Sequence, residues 1–146
     1  MRKLIGFVTL VAVAFAANQA QAFCIYNKTT NKDFWVMQRA PALSGMNKTI
    51  RPGGKECCAW DNLGCNPGQN RGTALKILME YDQGKSRVGC GRMESLPPGM
   101  DGYHEVEILS DGYVTIENTS QPGKRYRVVS WTKDHKDHQI TWCPGD

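Results

Sequence analysis

Six cysteines constrain this 146-residue chain more than any other feature: Cys24, Cys57, Cys58, Cys65, Cys90 and Cys143 all follow an apparent export signal. Met1 to Ala22 combines basic Arg2-Lys3, an apolar run from Leu4 to Ala17, and Ala20-Gln21-Ala22, whose small residues suit a signal peptidase. The apolar run is too short for a bilayer core of ~30 Å, which takes about 20 helical residues. Residues 1–22 are therefore expected to be a cleaved secretory signal, and residues 23–146 a single domain that is secreted or periplasmic. Phe23 is not the small residue that a lipid anchor at Cys24 would need, and no later stretch is long and apolar enough to form a transmembrane segment.

An even number of cysteines in an oxidising compartment implies disulfides, here three. Neighbouring Cys57 and Cys58 should not bond to each other, because the ring is strained and a strand points successive side chains to opposite faces. Of the 15 pairings open to six cysteines, that leaves 12. The turn-forming segment Ala59-Trp60-Asp61-Asn62-Leu63-Gly64 suits a local bridge, Cys58 to Cys65 or Cys57 to Cys65, and Cys24 and Cys143 should tie both chain ends to the fold. No C-x₂-C spacing occurs, which argues against zinc and dithiol redox chemistry; no metal and no cofactor are expected.

The 40% apolar and 22% charged composition is that of a globular domain. Without the signal, 16 Lys+Arg face 14 Asp+Glu, and a net charge of +2 does not point to a nucleic-acid partner. Period-two apolar runs recur between Gly, Pro, Asn and Asp clusters, and no helical periodicity is sustained after Phe23. Strands are predicted at 24–27, 34–38, 56–60, 74–81, 87–91, 103–109, 113–118, 125–131 and 139–143. The fold class is all-β: a disulfide-stabilised antiparallel β-sandwich, with a small barrel as the alternative. Near copies at 101–108 and 111–117, joined by Ser110-Asp111-Gly112, read as a β-hairpin.

Common catalytic strings such as G-x-S-x-G and H-E-x-x-H are missing. The favoured function is a non-enzymatic binding module for a protein or glycan at the cell surface, using loops 39–54 and 61–72 or exposed aromatics. The candidate binding residues are Trp35, Trp131, Trp142, Arg125 and Arg127. Trp35 lies opposite in parity to Phe34 and Val36, Trp131 and Trp142 lie on the last strands, and Lys124, Arg125 and Arg127 open a strand that could meet an anionic surface. Trp60, by contrast, is expected to pack on a disulfide.

The alternative function is a small secreted hydrolase of glycan or RNA. Glu105 and Glu107 share a strand face, Glu117 should lie across the hairpin from them, and glycosidases need two carboxylates about 5–10 Å apart. His104 shares parity with Val106 and Ile108, while Asp134-His135-Lys136-Asp137-His138 reads as a solvated connector. Sequons at Asn27, Asn47 and Asn118 matter only in a host that glycosylates them. Oligomeric state has no signature in the sequence.

Overall fold

A computed structural model describes residues 21–40, 45–59, 62–70, 72–84, 86–94, 103–131 and 138–145. These residues form strands and no helix. One sheet, sheet A, is built from β1 (Gln21–Asn27), β4 (Lys55–Ala59), β9 (Tyr113–Asn118), β10 (Lys124–Trp131) and β11 (His138–Pro144), in the order β11-β10-β9-β1-β4. Sheet B runs β3-β2-β5-β8-β7, from β2 (Phe34–Ala40), β3 (Asn47–Ile50), β5 (Ala74–Gln83), β7 (Arg92–Glu94) and β8 (Tyr103–Leu109). A further strand, β6 (Ser86–Gly89), pairs with the C-terminal half of β5. Neither sheet closes on itself, so the arrangement is a sandwich and the barrel alternative falls.

The alternation read from sequence is what holds the layers together. Phe23 and Ile25 of β1, Val114 and Ile116 of β9, and Tyr126 and Val128 of β10 point inward from sheet A. They meet Phe34 and Val36 of β2, Leu75, Ile77, Met79 and Tyr81 of β5, and Val106 and Ile108 of β8. Removing this apolar surface from water, at roughly 25 cal/mol per Å², is the main stabilising term. Where the sheets meet, Tyr81 and Phe34 of sheet B enclose Tyr126 of sheet A, with ring centroids 5.0 and 5.1 Å from it. Both contacts are edge-to-face, the arrangement the ring quadrupoles favour. The Tyr81 hydroxyl donates to the Pro144 carbonyl of β11, giving its buried polar end a partner.

The bridges are Cys24–Cys57, Cys58–Cys65 and Cys90–Cys143, with none between Cys57 and Cys58. Cys24 and Cys57 are opposed residues of β1 and β4. Cys58–Cys65 pins the loop after β4, and Cys90–Cys143 joins the end of β6 to β11 and therefore sheet B to sheet A. At that seam Gly91 has φ +112°, and a Cβ there would lie 2.1 Å from the Glu105 carbonyl oxygen. Only glycine fits such a position.

Three features depart from the sequence reading. The two near copies do not form a hairpin: β8 pairs with β5 and β7, whereas β9 pairs with β1 and β10 in the other sheet. Residues 110–112 are a corner between sheets. Ser110 is fully buried, its hydroxyl donates to the Asn70 carbonyl at 2.7 Å, and its N–H donates to the Thr73 carbonyl at 2.9 Å. These bonds hold the turn against the entry to β5. Second, β1 and β9 run parallel, so the sandwich is not wholly antiparallel. Third, β3 and β7 were not expected: β3 buries only Ile50 and shows no apolar alternation, and β7 has just three residues. The strand β1 begins at Gln21, inside the expected signal, and Phe23, the expected first mature residue, is its first core side chain.

Candidate functional site

Because register partners share a face, the pairing fixes what the outer surface of sheet A displays. One row across the strands is Trp142, Arg127 and Glu117. The next is Ile140, Val129, Thr115, Tyr26 and Lys55. A third runs from Trp131 through Tyr113 to the Cys24–Cys57 bridge. Each of these residues alternates with an inward one, as Tyr26 does with Ile25, Tyr113 with Val114, and Arg127 with Val128.

The rings on this face touch. Tyr113 and Trp131 stack with centroids 5.9 Å apart and planes within 10°, and Tyr26 meets Tyr113 edge-on at 6.1 Å. The Lys55 ammonium lies 6.0 Å from the Tyr26 ring centroid, within cation–π range. Beneath these groups Val129 and Thr115 are buried although they point away from the core, and Ile140 beside them is 41% exposed. The surface is an aromatic sheet over a filled floor.

One ion pair borders it. Arg127 donates to Glu117 Oε2 through Nε at 2.9 Å and Nη2 at 2.6 Å, and the Thr115 hydroxyl donates to Oε1 at 2.9 Å. Partial burial raises the Glu117 pKa, but the hydrogen bonds from Arg127 and Thr115, with the charges of Arg127 and Lys28, outweigh it and leave the carboxyl below its ordinary value. The Tyr113 phenol is pushed up, chiefly by burial and then by Tyr26 and Glu117.

The structure therefore gathers Trp131, Trp142 and Arg127 on one face. Arg125 lies in a bulge of β10, where the pairing skips from Lys124 to Tyr126. Trp35 goes elsewhere, to the outer surface of sheet B, where its indole N–H donates to Asn47 Oδ1 at 2.8 Å and the Arg87 guanidinium covers its ring at 5.1 Å. Tyr26 and Tyr113 were missed as site residues. The signal was available, since each is an aromatic at the solvent-facing parity of a strand whose other parity is aliphatic.

The carboxylates of the hydrolase reading are dispersed. Glu117 belongs to sheet A, while Glu105 and Glu107 are on β8 of sheet B, so the expected pairing across a hairpin is overturned by the corner at 110–112. Glu105 is buried and ion-paired with Lys76, while Glu107 is exposed. His104 is half-buried with Nδ1 3.1 Å from the Gly91 carbonyl oxygen, a structural position at the seam. Trp60, Lys133 and the stretch from Asp134 to Asp137 lie outside the described residues. Among the described residues no cluster of three His, Cys, Asp or Glu side chains could hold a metal, and no helix is long and apolar enough to cross a membrane.

The expected binding loops are partly structural. β3 lies within 39–54, and Met46 of that stretch is buried. In 61–72, Cys65 and Asn66 are buried and only Leu63 presents a large apolar side chain, 61% exposed. The sequon residue Asn27 is buried, with its amide nitrogen donating to the Lys32 and Ile50 carbonyls at 2.7 and 2.8 Å, which leaves no room for a glycan on the folded chain.

No protein-family model, curated protein or solved structure matches the chain.

Proposed function

We propose that the protein is an exported, non-enzymatic binding module that engages a protein or glycan ligand through the outer face of sheet A. One observation carries the reading: Tyr26, Tyr113 and Trp131, distant in sequence, form a continuous series of contacting rings on three adjacent strands. Rigid aromatic area with a charged border is the chemistry of a binding surface, because rings give large contact area at low entropic cost. Export is supported by three disulfides, which persist in oxidising compartments, and by the signal-like first 22 residues.

The cations beside the rings favour an acidic glycan as the ligand. The Lys55 ammonium stands beside Tyr26, and Lys28 and Arg127 both act on the Glu117 carboxylate at the border. Sugar C–H faces stack on such rings while carboxylate or sulfate groups meet the cations. The test is calorimetric titration of the mature protein with polygalacturonate, heparin and neutral dextran, repeated with Trp131→Ala/Tyr113→Ala. Binding of the acidic polymers that falls at least tenfold in the double variant supports the reading. Equal binding in wild type and variant refutes it, and capture of proteins but no polymer moves the ligand to the protein class.

A further inference from the structure

The outer face of sheet B carries a second, chemically different feature. Beside Trp35 lies a cavity of about 90 Å³ lined by Asp33, Glu80, Asp82, Thr49 and Arg87. The β2–β5 and β5–β6 pairings put it there: Trp35 is opposite Glu80, Glu80 is opposite Gly89, and Asp82 is opposite Arg87. The indole is held by its bond to Asn47, so its ring forms a fixed wall. The volume suits a few waters or the head group of one side chain.

The chain itself shows what this wall accepts. The Arg87 guanidinium lies over the Trp35 ring at 5.1 Å, but its carboxylate contacts are loose, 3.8 Å to Glu80 and 3.7 Å to Asp82, and its side chain is 57% exposed. Lys32, a second cation among the described residues, spends its ammonium on the Asp82 backbone carbonyl at 3.1 Å. Among the described residues three carboxylates thus face two cations around an aromatic wall, and Arg87 occupies the wall without a tight ion pair. An aromatic face joined to carboxylates is the geometry that binds guanidinium groups.

We propose that this pocket recognises an arginine side chain of a partner protein, and that Arg87 is a built-in occupant that the incoming guanidinium displaces from Trp35. The site is independent of the face of sheet A, so either can fail without the other. Removing the Arg87 charge, about 4 Å from the carboxylates, should strengthen cation binding about fivefold even at the dielectric constant of water.

The test is a titration of the mature protein and of Arg87→Ala with L-arginine amide, followed by the Trp35 indole N–H signal in NMR spectra assigned with Trp35→Phe. Citrulline amide, equal in shape and uncharged at the head group, is the control. The expected result is a saturable shift with arginine amide, about fivefold tighter in Arg87→Ala and lost in Glu80→Gln/Asp82→Asn, with no shift from citrulline amide. A proposal of this kind is overturned by no saturable shift in either protein, by an equal shift with citrulline amide, or by affinity in Arg87→Ala no tighter than in wild type.

Discussion

The two outer faces of the sandwich are built from the same strand periodicity and do different things with it. On sheet A the outward positions hold Tyr26, Tyr113, Trp131 and Ile140, with one ion pair at the border. On sheet B they hold Lys76, Leu78, Glu80 and Glu105, and Leu78 and Glu105 are themselves buried. Sheet B therefore buries or ion-pairs these outward residues and screens its outward Trp35 with Arg87, while on sheet A the contacting rings stay half-exposed. The lesson is that burial, and not strand parity alone, separates a surface that stabilises from one that can bind.

Breaking the join between the faces should have the largest effect. The Cys90–Cys143 bridge closes a span of 53 residues, and its loss in Cys90→Ala/Cys143→Ala releases loop entropy worth about 4 kcal/mol. The Cys58–Cys65 bridge closes a span of only 7, and its removal should cost about 2.5 kcal/mol. Urea denaturation of the two double variants gives both numbers, and equal losses would mean that the sheets are held by packing alone.

Gly91→Ala comes next, at about 3 kcal/mol or roughly 10 °C in Tm, because its Cβ meets the Glu105 backbone and its φ is disallowed for alanine. A thermal melt that moves by less than 2 °C would contradict the seam geometry. On the outer face of sheet B, Lys76→Met should cost about 2 kcal/mol by leaving Glu105 buried with no cation, an effect trimmed by the 42% exposure of Lys76. On the face of sheet A, Trp131→Ala should cost about 1 kcal/mol through the lost stack of this half-buried ring on Tyr113, while weakening ligand binding. Losses of equal size at Lys76 and Trp131 would erase the contrast between the faces.

The smallest effect is electrostatic. The carboxyl of Glu117 is held below its ordinary value, so its pairing with Arg127 contributes stability that is present above the unfolded carboxyl pKa of about 4.3 and is lost as pH falls through the depressed folded value. Arg127 is 44% exposed, so the contribution is below about 1 kcal/mol. Glu117→Gln should lower the neutral-pH plateau of a stability–pH profile by that amount, leave the acid end unchanged and so flatten the acid limb.

Much of this was legible in the sequence. Alternation set Val106 with Ile108 and Val114 with Ile116 on apolar faces, and all four are buried, while it left open whether Phe34 and Val36 or Trp35 would face inward on β2. Cysteine spacing offered Cys58–Cys65 as one of two local bridges. What was not legible is long-range: identical parity in 101–108 and 111–117 suits either a hairpin or two sheets facing one core. The bonds of Ser110 to Asn70 and Thr73, which decide between them, come from residues nearly 40 positions away. For the same reason Glu117 was placed beside Glu105, and Trp35 was grouped with tryptophans of the opposite sheet. The parallel neighbour of β1 likewise depends on a crossover that no local pattern records.

The central claim, that an acidic glycan is met by the outer face of sheet A, is tested most directly by indole N–H NMR signals during titration with polygalacturonate. The account predicts that Trp131 and Trp142 shift and saturate together while Trp35 stays fixed. A shift at Trp35 alone, or no shift at any assigned indole, would contradict it.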